Sequence, residues 1–363
     1  MTVTYLDLTD EQRSCLDDLP FDGNHLVSGP PGSGKSLLAA QRAVMLALTG
    51  TSVVLLTYSN LLHQALAGAV HALGPADRSV RVRTAHAWLT EWYGGKPPSG
   101  ADGWFDWPTL YERAAAADPP PGLTLVVDEG QDLPPEFYRL CRLLGARTTV
   151  YADECQRLTD TNSTLTEIAE RLGRCARHEL DGNHRNTRQI ASFAAHFHTG
   201  AGLPPIPERD GPPARLHRLP QRGAADLVML LAQQHPQHTI GVITHSKHTQ
   251  FSLLGTLQNK APKLKPQLYT SDAWKGGGRY HRLDLGRPGV VLVHRRSAKG
   301  LGFDTVVIPD VHTDAATDPT SAALRMEYYV MATRARRELH LAYEGDSEPP
   351  LLAQVGPGRL LRG

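Results

Sequence analysis

Short apolar runs recur along the chain, each bounded by turn residues: 25–28 (HLVS), 52–57 (SVVLLT), 123–127 (LTLVV), 147–152 (RTTVYA), 239–243 (TIGVI), 289–293 (GVVLV) and 305–309 (TVVIP). They are too short for ordinary helices and apolar on both faces, so they read as strands covered on both sides. Between most of them lie stretches of helical spacing, such as Lys35 to Thr49 and Ser321 to Arg334. This alternation predicts an α/β fold of parallel sheets flanked by helices. Three stretches break the rhythm. Residues 88–121, Gly/Pro-rich with the tryptophans Trp88, Trp92, Trp104 and Trp107, read as an insertion in a first domain. Residues 200–222, proline-rich, and 260–288, basic and glycine-rich, read as loops in a second.

A length of 363 residues with 40% hydrophobic positions suits two domains, drawn here as 1–177 and 178–363. Lys+Arg 38 against Asp+Glu 37 leaves a net charge of +1. Nothing global then attracts nucleic acid, and any such binding needs a local groove. No stretch approaches the roughly 18 apolar residues of a membrane helix, and the first residues lack a signal peptide's basic and apolar regions. A cytoplasmic protein with no membrane association is expected. The cysteines Cys15, Cys141, Cys155 and Cys175 form no CxxC pair, which also suits a reducing compartment. Among 17 histidines, His235, His238, His245 and His248 fall close together. Two lie at each end of the predicted strand 239–243, and no cysteine or carboxylate pattern accompanies them, so a metal site is not expected there.

The segment GPPGSGKS, residues 29–36, fits G-x-x-x-x-G-K-[ST] between an apolar strand and a helical stretch. In that setting glycines let backbone N–H groups turn toward phosphate oxygens, and the helix N-terminus adds its positive dipole end. Lys35 would reach the β- and γ-phosphates and Ser36 would bind Mg²⁺. A carboxylate at a strand end should complete the site, and VVDEGQD (126–132) supplies it. Asp128 would hold Mg²⁺, directly or through water, and Glu129 would orient or deprotonate the attacking water.

These segments resemble superfamily 1 helicases of the UvrD/Rep type, over nearly the whole chain and in the family's order. LTDEQ (8–12) is similar to the Q motif, GPPGSGKS to motif I, VVLLTYSN (53–60) to motif Ia and VRTAHAW (82–88) to Ib. DEGQD is close to the DExQD form of motif II, VYADECQR (150–157) resembles motif III and LDGNHRN (180–186) motif IV. HRRSAKGLGFD (294–304) resembles motif V and YYVMATRARRELHL (328–341) motif VI. The resemblance implies two RecA-like domains sharing ATP in a cleft, with Gln12 reading adenine. Nucleotide contacts are implied for Gly29, Pro30, Pro31, Gly32, Ser33, Gly34, Lys35, Ser36, His184 and Gly300. It puts Gln156 near the γ-phosphate and makes Arg185 and Arg334 the cations that stabilise the transition state. Thr57, Tyr58, Asn60, His86 and His294 match positions that contact nucleic acid. The implied activity is ATP-driven, Mg²⁺-dependent movement on a single strand, DNA rather than RNA, in the 3′ to 5′ direction.

The chain departs from the family at several points. His184 stands where a tyrosine usually stacks on adenine, and Gly302 where a glutamate usually meets the ribose. Motif III runs on into LTDTNST (158–164) without an aromatic. Only about forty residues separate VRTAHAW from DEGQD, so the large inserted subdomains are reduced or missing. The Trp-rich stretch and the basic residues Lys260, Lys263, Lys265, Lys275, Arg279 and Arg282 are candidate substitutes for strand contacts. These departures keep a second reading open: an ATPase switch gating a partner protein, such as a nuclease in a bacterial defence complex. A general P-loop kinase leaves motifs IV to VI without a purpose.

Overall fold

Residues 4–74, 79–101, 103–116, 122–153, 163–199, 206–220, 223–271 and 280–363 are described by a computed structural model. They divide into two units, Met1–Gly182 and Asn183–Gly363. The first unit runs α1 (Asp10–Asp17), β1 (Asn24–Ser28), α2 (Lys35–Leu48), β2 (Val53–Thr57), α3 (Asn60–Ala72), β3 (Val80–Thr84), α4 (Ala85–Tyr93), α5 (Trp107–Ala116), β4 (Thr124–Val127), α6 (Pro135–Leu143), β5 (Arg147–Ala152), α7 (Leu165–Leu172) and β6 (Cys175–Glu179). Its sheet has the order β3-β2-β4-β5-β1-β6, and every pairing is parallel. Side chains alternate between two cores, as the two-residue strand period requires. Val53, Leu55 and Val126 face one core with Val27 and Leu38. Val54, Leu56, Leu125 and Val127 face the other with Phe137 and Leu140.

The second unit runs α8 (Arg188–Ala195), β7 (Ala214–Arg218), α9 (Gly223–Gln234), β8 (Thr239–Thr244), α10 (Lys247–Lys260), β9 (Gln267–Leu268), β10 (Gly289–His294), β11 (Phe303–Ile308), α11 (Ala322–Ala332), β12 (Ala335–Tyr343), α12 (Pro350–Ala353) and β13 (Leu360–Arg362). The order β13-β7-β12-β11-β8-β10-β9 is again parallel throughout. Both units are thus parallel sheets flanked by helices, the α/β class the apolar pattern predicts. Among the described residues no helix is long and apolar enough to cross a membrane.

Four expectations change. The strand β6, which spans the boundary drawn at 177/178, pairs along β1 and belongs to the first sheet. Its sequence, CARHE, is too polar to register as an apolar run. The stretch 88–121 is not an irregular insertion: it includes the end of α4 and all of α5, and Trp88 and Trp107 are buried in the core with Phe137. The proline-rich stretch 200–222 contains β7, whose ARLHR alternates buried and exposed positions between β12 and β13. The basic stretch 260–288 contains β9.

Candidate functional site

In the first unit the neighbouring strands β4, β5 and β1 deliver three chemical groups at their carboxyl ends, where open parallel sheets bind ligands. After β1 comes the loop 29–34, which opens α2. Gly32 and Gly34 lie at φ +90° and +93°, and Gly34 is the N-cap of the helix. A Cβ on Gly34 would collide with the Gln12 amide, and one on Gly29 would meet Leu180 Cβ at 2.8 Å. Leu38 N–H makes the first bond of the helix, to Gly34 O. The preceding N–H groups of the first turn therefore have no intrahelical acceptor and suit an anion.

Lys35, the first residue of α2, is buried. Its Nζ donates to Gly29 O (2.6 Å) and Pro30 O (2.8 Å) and lies 3.3 Å from Asp153 Oδ2. Gln12 stands in a capping box with Thr9: its Oε1 accepts from Thr9 N–H (3.1 Å) and its Nε2 donates to Ser33 O (2.9 Å). Its amide thus braces the loop 29–34.

After β4 come the two carboxylates. Asp128 is buried, its N–H donating to Leu56 O at 2.8 Å. Neither carboxylate oxygen has a partner with hydrogen-bond geometry. Burial first and the Glu129 charge second raise its pKa, while the nearby Ser36 hydroxyl acts to lower it. A buried carboxylate left without a partner, beside a hydroxyl, is the donor set a hard divalent cation takes. Mg²⁺ fits Asp128 and Ser36.

Glu129 is held at φ +53°, an uncommon conformation for a side chain with a Cβ. Gln131 Nε2 donates to Glu129 Oε2 at 2.5 Å, and Gln131 Oε1 accepts from Asp153 N–H at 2.9 Å. One buried amide therefore ties the second residue after β4, Glu129, to the first after β5, Asp153. Gly130 is small by necessity, because a Cβ there would strike Val150 and Tyr138. Gln131 and Asp153 sit inside DEGQD and VYADECQR but carry no spacing signal of their own that marks them as site residues. Gln156 lies outside the described residues.

In the second unit, Asn186 is buried and its Nδ2 donates to Thr333 O (3.2 Å) and Ala335 O (2.6 Å). Its Oδ1 accepts from Asn183 Nδ2 at 3.0 Å, and Asn183 Oδ1 accepts from Arg185 N–H at 3.2 Å. This pair of asparagines clamps the chain on both sides of Arg334 and anchors the backbone N–H of Arg185. Arg334 is buried at the carboxyl end of α11. Its Nε donates to Val330 O (2.9 Å), and its terminal nitrogens to Leu301 O (3.3 Å) and Thr333 Oγ1 (3.1 Å). Gly302 lies against the same basic group: a Cβ there would come within 3.3 Å of Arg336 and 3.7 Å of Arg185 Nε. His184 is exposed, and Gly300 takes φ +77°.

Of the positions matched to nucleic-acid contacts, Thr57 is fully buried at the end of β2, its hydroxyl without a partner. The surface therefore does not offer it to a strand, because β2 lies between β3 and β4 and is covered on both faces. Tyr58 and Asn60 are exposed. His86 stacks on Trp104 at 4.1 Å and 19°, with the Tyr58 ring 5.7 Å from Trp104. Burial lowers the His86 pKa, which makes it an aromatic surface more than a cation. His294 lines a cavity of about 190 Å³ with Lys247, Thr270, Ser271, Arg296 and Ser297. Its Nδ1 accepts from Arg296 N–H and its Nε2 donates to His245 O. Of the basic loop, Lys260 pairs with Asp226 at 2.8 Å, whereas Lys275 and Arg279 lie outside the described residues.

No protein-family model and no curated protein matches the sequence. Among solved structures the chain is similar to the C-terminal domain of a "possible DNA helicase" from Lactobacillus plantarum WCFS1, 24% identical over 49% of this chain and 97% of that one, with a TM-score of 0.37. It is also similar to the helicase of PRRSV, 16% identical over 88% of this chain and 52% of that one (TM-score 0.45). A third is arterivirus nonstructural protein 10, a helicase in complex with DNA, 16% identical over 91% of this chain and 62% of that one (TM-score 0.41). The chain thus spans between half and two thirds of the two viral helicases it matches.

Proposed function

We propose that the first unit binds and hydrolyses Mg-ATP, and that turnover drives movement along single-stranded nucleic acid, DNA before RNA, as in a UvrD/Rep-type helicase or translocase working 3′ to 5′. The observation that carries the reading is Asp128, a buried carboxylate whose oxygens meet no donor in good hydrogen-bond geometry, set beside the Ser36 hydroxyl and a glycine loop that opens a helix. Lys35 would exchange the Gly29 and Pro30 carbonyls for β- and γ-phosphate oxygens. Ser36 and Asp128 would hold Mg²⁺, which supplies positive charge against the phosphates when bound. Glu129, oriented by Gln131, takes the proton of the attacking water. Arg185 and Arg334 of the second unit stabilise the charge of the transferring phosphoryl group, an effect on the order of 10³–10⁵ in rate for an arginine finger. The exposed ring of Tyr58, with His86 and Trp104 behind it, gives bases a face to stack on.

A second reading keeps the same ATPase and makes it a switch for a partner protein, such as a nuclease in a defence complex. It is favoured by α4 and α5, which carry Trp88 and Trp107 into the core instead of forming an arm for duplex DNA. ATP turnover measured with and without single-stranded oligonucleotides, at two salt concentrations, separates the readings. Strong stimulation that fades with salt supports the motor. A flat response with intact turnover supports the switch, and no Mg-dependent turnover under any condition removes both.

A further inference from the structure

At the amino-terminal part of the second sheet, two histidines and a glutamate converge from parts of the chain about a hundred residues apart. His235 and His238 flank Pro236 and Gln237 in the turn between α9 and β8. That turn is closed by His235 N–H to Leu231 O (2.9 Å) and His238 N–H to His235 O (3.0 Å). The closure brings the two imidazoles parallel, with centroids 4.5 Å apart and planes at 8°. Glu338 comes from β12, where its register partner on β11 is Thr305. One donor atom from each of the three residues lies within 4.8 Å of the others, and His235 Nε2 stands 3.1 Å from Glu338 Oε1. The sequence had offered no carboxylate near these histidines; strand pairing supplies one.

We propose that His235, His238 and Glu338 form a binding site for a divalent transition-metal ion, with zinc the ion their donor set fits. Two imidazoles and one carboxylate are a recurrent zinc set, with ligand bonds of about 2.0–2.2 Å, so a small side-chain adjustment brings all three donors onto one ion. Their outer partners are those expected of metal ligands. His238 Nδ1 lies 3.1 Å from Thr305 Oγ1, which turns Nε2 toward the site. Glu338 Oε2 is 3.3 Å from His340 Nε2, and His340 Nδ1 is 3.1 Å from His217 Nε2. This second layer orients the glutamate while Oε1 faces His235. All three ligands are only partly buried, so an ion can enter and a fourth position is open to water. The ion would clip the α9–β8 turn to β12. It would sit at the opposite end of the strands from the His294 cavity and share no residue with the nucleotide reading.

The test uses the untagged full-length chain, treated with chelator, desalted and kept in excess Mg²⁺. Zinc chloride is titrated against a chromophoric zinc chelator, and thermal unfolding is followed with and without zinc. One zinc per chain is expected at micromolar affinity or tighter, together with a raised unfolding midpoint. Glu338→Gln and His238→Ala should each weaken that binding at least about tenfold, while His248→Ala, an exposed histidine away from the site, should not. If Glu338→Gln fails to fold, His235→Asn provides the same comparison. No zinc binding by the wild type, or equal binding by the wild type and the ligand variants, overturns the proposal.

Discussion

Replacing Gln131 by leucine tests how the site is wired. Its amide makes two buried bonds, one donated to the Glu129 carboxylate at 2.5 Å and one accepted from Asp153 N–H at 2.9 Å. The bond to an ionised partner is worth about 1.5–3 kcal/mol, and leaving the Asp153 N–H unmet costs stability of similar size. If the first term holds Glu129 in the geometry that receives a proton, its loss slows turnover by about 10- to 150-fold, at ~1.4 kcal/mol per factor of ten. Gln131→Glu separates the two effects, because it still accepts from Asp153 N–H but cannot donate to Glu129. Steady-state phosphate release against ATP concentration is the assay. Both variants should lose kcat while KM stays within a few-fold, since the Gln131 amide bonds the Glu129 carboxylate and the Asp153 N–H and no group of the loop 29–34. A kcat within about twofold of wild type in both variants, or a loss confined to KM, would show that Gln131 only supports the fold.

Other outcomes follow from the same geometry. Gly34→Ala should weaken nucleotide binding about 5- to 30-fold in a direct titration, because a Cβ would displace the Gln12 amide and the left-handed backbone adds roughly 1–2 kcal/mol of strain; wild-type affinity would contradict this. Arg334→Ala should keep ATP affinity within a few-fold yet remove hydrolysis, and should lower the thermal midpoint because its guanidinium holds Val330 O and Leu301 O. An unchanged turnover number rules out the finger role. His245 sets a pH window. Burial alone would lower its pKa, but the two carboxylates Asp310 and Asp314 against the ring override it and raise the pKa to about 9. Its Nδ1 is 2.9 Å from Asp310, while its Nε2 pairs with Asp314 at 2.8 Å out of hydrogen-bond line. A raised folded-state pKa gives stability that is full below the unfolded value near 6.5 and lost as pH rises through about 9, an effect of about 3 kcal/mol. Urea denaturation from pH 6 to 9.5 should show this loss in wild type and not in His245→Gln; parallel profiles would refute it.

The apolar runs were legible because a strand covered on both faces has to be apolar at every position. β2, β4, β5, β8, β10 and β11 fall within about two residues of the runs read from sequence. β6 and β7 were not legible: CARHE and ARLHR carry their strand character in pairing partners far away in the chain. The Trp-rich stretch misled for a related reason, since glycines and prolines flank helices as readily as loops. At the candidate site, residues with fixed spacing, Lys35, Ser36, Asp128 and Glu129, were readable. Gln131, Asp153 and Asn186 were not singled out, because their importance lies in the bonds that join segments. Glu338 is the extreme case, a residue with no local signal that strand register brings to two histidines.

The central claim is that the loop before α2 and the carboxylates after β4 make one hydrolytic site. Phosphate release and binding of a fluorescent ATP analogue, measured on wild type, Lys35→Ala and Glu129→Gln in Mg²⁺, test it most directly. The account predicts turnover in wild type, loss of turnover with weakened binding for Lys35→Ala, and retained binding with turnover slowed by about a hundredfold or more for Glu129→Gln. Wild-type turnover by either variant would contradict it.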